Sequence, residues 1–208
     1  MKYWELLNLS VDGPFQYVNK KTDAEWGGES LDDDTLLLSF QGSLSVIDWI
    51  YNFMTKKVPY KGANKSFKVH RGFLKKYKSI RDDVLDYVKN ANPKKIIVSG
   101  HSQGGAMASL ALEDLEFHGY QAVRGIVFGC PRVFSKTTEE YRFYNLLRVE
   151  NGNDIVTKFP MKWQGYRHFG KGLLIGSKKE NFKISIKDHN PMSYAISLKT
   201  EELLKYEV

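Results

Sequence analysis

Apolar residues along this chain fall into short runs separated by polar, turn-forming stretches, and the rhythm of those runs predicts the elements. Phe15-Gln16-Tyr17-Val18 and Thr35-Leu36-Leu37-Leu38-Ser39-Phe40 read as two strands. The second is apolar almost throughout, the pattern of a strand covered on both faces. Residues 25–34 between them are polar and rich in Gly and Asp, which predicts a turn region. Ser45 to Met54 predicts a helix, Thr55 to Lys68 a loop, and Phe73 to Asn90 one long helix stopped near Asn92-Pro93. A strand follows through Lys95-Ile96-Ile97-Val98-Ser99. Next comes a helix from Gln103 to about Phe117, whose Ala106, Ala108 and Ala111 allow close packing on a sheet. Further strands are expected at Val123 to Gly129, Leu146 to Val149, Leu173 to Ile175 and Phe182 to Ile186, with a helix beginning after Pro191. Alternating strands and helices predict an α/β architecture with a mostly parallel sheet. In such sheets, sites gather at the carboxyl ends of the strands.

One of those strand-to-helix junctions carries chemistry. Gly100-His101-Ser102-Gln103-Gly104 follows the Lys95 to Ser99 run directly and opens the helix. A serine on such a turn is presented at the strand end as a nucleophile. Glycines two residues to either side fit a turn where a side chain would strike the neighbouring strand and helix.

Length and composition narrow the context. The 208 residues suit one domain, 1–208, with a substantial core. No apolar run is long enough to span a bilayer, and Met1 to Glu5 lacks the apolar stretch of a signal peptide. Cys130, the single cysteine, excludes an intramolecular disulfide and a cysteine-built zinc site. It fits a reducing, cytoplasmic compartment, although a removed secretion signal would leave no trace. The net charge of +7 serves solubility or draws the protein to an anionic lipid surface. The lysine pairs are scattered, from Lys20-Lys21 to Lys178-Lys179, so a nucleic-acid partner is not expected.

A serine hydroxyl needs a base, and the base needs an orienting acid. For a nucleophile on this kind of turn the chain order is serine, acid, histidine. That order sets aside His70, His101 and His118 and leaves His168 and His189. Among the acids, Asp154 stands on a Gly- and Asn-rich turn just past a strand, Glu139 and Glu140 read as solvated surface, and Asp188 adjoins His189 and is expected to diverge from it. The residues alone leave both choices open.

A longer series of motifs adds to this reading. Phe40-Gln41-Gly42-Ser43, Asp48-Trp49-Ile50, Val69-His70-Arg71-Gly72-Phe73, Gly100 to Ala106, Gly129-Cys130-Pro131-Arg132-Val133, Asn151 to Val156, and His189 with Tyr194 occur in that order. The series resembles the class 3 lipases, the fungal-type triacylglycerol lipases, over roughly Thr35 to Leu198. The resemblance implies an α/β-hydrolase fold with Ser102 as nucleophile, Asp154 as acid and His189 as base. It implies an oxyanion hole from the Gln103 N–H and from Ser43, through its N–H and its hydroxyl. The reaction implied is hydrolysis of lipid or small acyl esters, with no metal or organic cofactor. Phospholipase A1 and short-chain or aryl esterase are alternatives, and a catalytically silent binding module is one from another class. Departures from the pattern are the short chain, the absence of disulfides, and Gln41 where an arginine is common. The helix at 45–54 is apolar around most of its circumference, which suits either a lid that opens onto lipid or a fixed helix buried against the sheet.

Overall fold

The computed structural model describes residues 1–42, 56–60, 67–135, 145–177 and 185–200. The 45–54 helix, Ser43, Glu139, Glu140 and most of the 182–186 strand lie outside the described residues.

The described strands in chain order are β1 (Tyr17–Asn19), β2 (Ala24–Ser30), β3 (Thr35–Phe40), β4 (Lys57–Tyr60), β5 (Phe67–His70), β6 (Lys95–His101), β7 (Val123–Phe128), β8 (Phe134–Ser135), β9 (Leu146–Asn151), β10 (Tyr166–Arg167) and β11 (Lys171–Ile175). The described α-helices are α1 (Tyr3–Asp12), α2 (Arg71–Lys78), α3 (Arg81–Ala91), α4 (Gln103–Phe117) and α5 (Pro191–Thr200). A seven-stranded sheet runs β1-β2-β3-β6-β7-β9-β11. It is parallel from β3 to β11 and antiparallel at the β1-β2-β3 edge. A small antiparallel sheet, β10-β8-β5-β4, lies apart from it.

Both faces of the large sheet are covered, which is why β3 is buried along its whole length. One core joins Leu36, Leu38, Val98 and Val127 to Phe73, Tyr77, Val84 and the inner side of α4. The other joins Leu37, Ile97, Ile126 and Val149 to Tyr3, Leu6 and Leu7 of α1 and Tyr194 and Leu198 of α5. Sequence parity separates the two sets, as the alternation of strand side chains requires.

Three expectations are corrected. The 25–34 turn region holds β2 instead, because its glycines serve close approach: a Cβ on Gly27 would sit 2.1 Å from the Pro14 carbonyl oxygen, and one on Gly28 would sit 2.3 Å from the Tyr87 ring. The 55–68 loop contains β4 and the start of β5, paired Lys57 with His70 through Tyr60 with Phe67. The single 73–90 helix is two. Ser79 Oγ donates to the Lys76 carbonyl at 2.7 Å and Asn19 Nδ2 donates to the Ser79 carbonyl at 2.8 Å, so the backbone turns there. Helix α1 has no counterpart in the sequence reading. Among the described residues, no helix is long and apolar enough to cross a membrane.

Candidate active site

The site is built at the carboxyl ends of β6, β7 and β9. Where β6 gives way to α4, Ser102 adopts φ 57°, ψ −123°, a region that L-residues occupy only under strain. Close packing holds it there. A Cβ on Gly100 would lie 2.3 Å from the Gly104 carbonyl carbon, and one on Gly104 would lie 2.0 Å from the Phe40 oxygen on β3. Only glycine at both positions lets the helix start this near two strands. The Ser102 N–H donates to the Phe128 carbonyl at 2.9 Å, which ties the turn to β7.

Gln103 is the first residue of α4, so its N–H has no intrahelical acceptor. Its side-chain Oε1 accepts from Lys76 Nζ at 2.7 Å. The loop after β3 passes close by: a Cβ on Gly42 would lie 2.9 Å from the His101 oxygen and 3.6 Å from Ser102 Cβ. Ser43 follows Gly42 in the chain.

Strand β9 ends at Asn151, and Gly152 at φ 47° turns the chain into Asn153 and Asp154. Asp154 is buried, yet each oxygen is satisfied. Oδ1 accepts from the Val156 N–H at 2.8 Å. Oδ2 accepts from the Tyr194 hydroxyl at 2.6 Å and lies 2.8 Å from His189 Nδ1. Burial first, then the Asp154 charge, holds the Tyr194 phenol well above its ordinary range, so it remains a donor. With Nδ1 protonated toward a carboxylate, His189 Nε2 is the basic nitrogen. That atom is buried and has no hydrogen-bond partner among the described residues. Room for the pair comes from Gly129, at φ 56° after β7: a Cβ there would lie 2.9 Å from His189 Cε1 and 3.1 Å from Asp154 Oδ2.

His101, set aside on chain order, joins this cluster. Its Nε2 lies 3.0 Å from the His189 carbonyl oxygen, and the two rings are 4.6 Å apart. Burial, and then the neighbouring His189, push its pKa down to about 3, so it is a neutral N–H donor to that carbonyl. The structure therefore pairs His189 with Asp154 beside the elbow that carries Ser102 and Gln103, with no hydrogen bond between Ser102 Oγ and His189 Nε2. The remaining alternatives go elsewhere. His168 Nε2 meets the Thr157 carbonyl at 2.6 Å, and Asp188 Oδ2 accepts from the Asn153 N–H at 2.8 Å. Sequence reasoning gave no role to His101, and Gly129 and Tyr194 entered only as parts of motifs. The signal for Gly129 was its place at a strand end, directly before Cys130-Pro131.

The family model for lipase (class 3) matches residues 37–163, a span that includes the elbow and Asp154. The chain belongs to the class 3 lipase family. Secreted mono- and diacylglycerol lipase A of Penicillium cyclopium is 31% identical over 162 residues, covering 75% of this chain and 52% of the relative. Phospholipase A1-II 4 of Oryza sativa subsp. japonica is 29% identical over 198 residues, covering 80% and 49%. A solved triacylglycerol lipase, described as having a catalytic centre formed by a serine protease triad, superposes with TM-score 0.68 at 28% identity, covering 76% of this chain and 64% of that one. The fold of this class 3 lipase chain is thus the α/β-hydrolase fold, and the chain spans about half the length of the curated relatives it matches.

Proposed function

We propose that this chain, as one α/β-hydrolase domain over residues 1–208, is a serine carboxylic-ester hydrolase acting on acyl esters of lipid type. Ser102 attacks the ester carbonyl while His189 Nε2 takes its proton. Asp154 holds the imidazole in the correct tautomer and stabilises the imidazolium. The Gln103 N–H and Ser43 stabilise the oxyanion. His189 then protonates the departing alcohol, and water, activated by the same imidazole, releases the acid from the acyl-enzyme. The observation that carries this reading is a buried imidazole whose Nε2 has no hydrogen-bond partner among the described residues and whose other nitrogen sits 2.8 Å from a buried carboxylate, next to a strained serine elbow.

The named activities of the relatives, on mono- and diacylglycerols and as a phospholipase A1, support a glycerolipid ester as substrate. The charge of +7 supports contact with an anionic lipid surface. The single cysteine, Cys130, supports a cytoplasmic enzyme, whereas the Penicillium relative is named as secreted.

The test is a panel of acyl esters of graded chain length, with a diacyl phospholipid included, run on wild type and Ser102→Ala. We expect ester turnover in the wild type and a loss of roughly 10⁴-fold or more in the variant, with the fold retained. A variant that keeps wild-type turnover refutes the nucleophile assignment. A folded wild type inert toward every ester supports the binding-module alternative.

A further inference from the structure

The large sheet has a second open end. At the amino-terminal ends of β3, β6, β7, β9 and β11, opposite the carboxyl ends that carry Ser102 and Asp154, lies an open groove of about 740 Å³. Strand β6 separates the two ends by about 20 Å. The groove is within the size range of small-molecule sites. Its apolar lining includes Leu31, Ile97, Leu147 and Leu173, all on the sheet face covered further along by α1 and α5.

Three cations line the same groove. Lys95, Arg124 and Lys171 are exposed, and among the described residues none of them forms an ion pair. Lys94, next in the chain, does pair, with Asp34 at 2.9 Å. One acid also lines the groove, Asp32. Its Oδ1 accepts from the N–H groups of Asp34 and Thr35 at 2.9 and 2.8 Å, which occupies one oxygen, and its charge and that of Lys95 attract each other. What remains is a recess with an apolar wall and three cations against one carboxylate, in which Arg124 Nη2 meets the Tyr3 hydroxyl at 3.5 Å.

We propose that this groove binds one long-chain fatty acid, its acyl chain along Ile97, Leu147 and Leu173 and its carboxylate among Lys95, Arg124 and Lys171. A flat cationic patch would suit a membrane surface. A recess that combines cations with an apolar wall suits a single-chain amphiphile, whose two ends have those two needs. The proposal does not rest on the esterase reading. If both hold, the acid released at one end of the sheet is the ligand of the other.

The experiment is methyl NMR of the wild-type protein titrated with dodecanoate below its micelle concentration, with dodecyl maltoside and octanoate as comparisons. We expect saturable shifts of the Ile97, Leu147 and Leu173 methyls. Dodecyl maltoside should bind at least about tenfold more weakly, and octanoate roughly 10²-fold more weakly from its four fewer methylenes. The Arg124→Glu/Lys171→Glu variant, both sites being exposed, should keep its circular dichroism spectrum and its ester turnover while losing about tenfold in dodecanoate affinity, with the loss shrinking as salt rises. Shifts confined to residues around His189, no shifts at these methyls, or undiminished dodecanoate affinity in the folded variant overturns the proposal, whatever the turnover.

Discussion

Two buried carboxylates, Asp154 and Asp114, are held in opposite ways. Asp114, fully buried in the last turn of α4, faces Arg81 at 2.7 Å from Nε to Oδ2 and 3.1 Å from Nη2 to Oδ1, and accepts from the Tyr77 hydroxyl at 2.9 Å. Its charge is met by a permanent cation, and the result is a clamp between α4 and the α2–α3 break. Asp154 is as deeply buried, but its partners are a backbone N–H, a phenol and an imidazole. No lysine or arginine pairs with it among the described residues. Its field is left for the one partner that can gain a proton, His189. A buried acid neutralised in advance supports structure. A buried acid that is solvated but not neutralised can favour an imidazolium at the moment one forms.

The largest test of this contrast exchanges each acid for its amide. Asp154→Asn should lower ester turnover about 10⁴-fold with little change in the unfolding midpoint. Asp114→Asn should do the reverse. Stability should fall by about 3 kcal/mol, at the lower end for broken buried pairs because Arg81 is 28% exposed, while turnover per folded molecule stays within about threefold. Steady-state kinetics and urea unfolding on the two variants decide it. If Asp154→Asn is as destabilised as Asp114→Asn and equally active, the contrast collapses.

Smaller changes sharpen it. Tyr194→Phe removes one hydrogen bond to a charged oxygen, and turnover should fall about tenfold without loss of the fold. An unchanged rate would mean that the phenol only fills space. His101 gives an effect visible only in acid. Its folded pKa of about 3 lies below the ordinary 6.5, so the unfolded chain takes up the proton first as pH falls. Stability is therefore full above pH 6.5 and declines by about 1.4 kcal/mol per pH unit between there and pH 3. His101→Gln, which keeps a donor for the His189 carbonyl, should flatten that part of the stability profile. Unfolding midpoints at pH 7, 5 and 4 measure it, and an unaltered slope would contradict the neutral, buried state of this ring.

The parts of the molecule differed in how openly the sequence spoke for them. The run from Lys95 through the elbow to Phe117 was legible because local rules decide it: an apolar strand, glycines at fixed offsets and a small-residue helix. Strand β2 was not, because the need for Gly27 and Gly28 arises from Pro14 and Tyr87, which only the folded chain brings near. The break at Ser79 depends on a distant Asn19 for the same reason. The site divides along that line. Ser102 is announced by its neighbours in the chain, whereas the preference for His189 over His168 came from the motif series. His168 is taken up by the Thr157 carbonyl, His189 by Asp154, and neither partner can be read from the histidine's own surroundings in the chain.

The most direct measurement is covalent labelling with an alkyl fluorophosphonate, followed by intact mass and peptide mapping, on wild type and on Asp154→Asn. An activated Ser102 should take up one equivalent rapidly and be the labelled residue, and Asp154→Asn, folded, should react at least about 10³-fold more slowly. A folded wild type that takes up no label, a label on another residue, or equal rates in the two proteins would contradict the account.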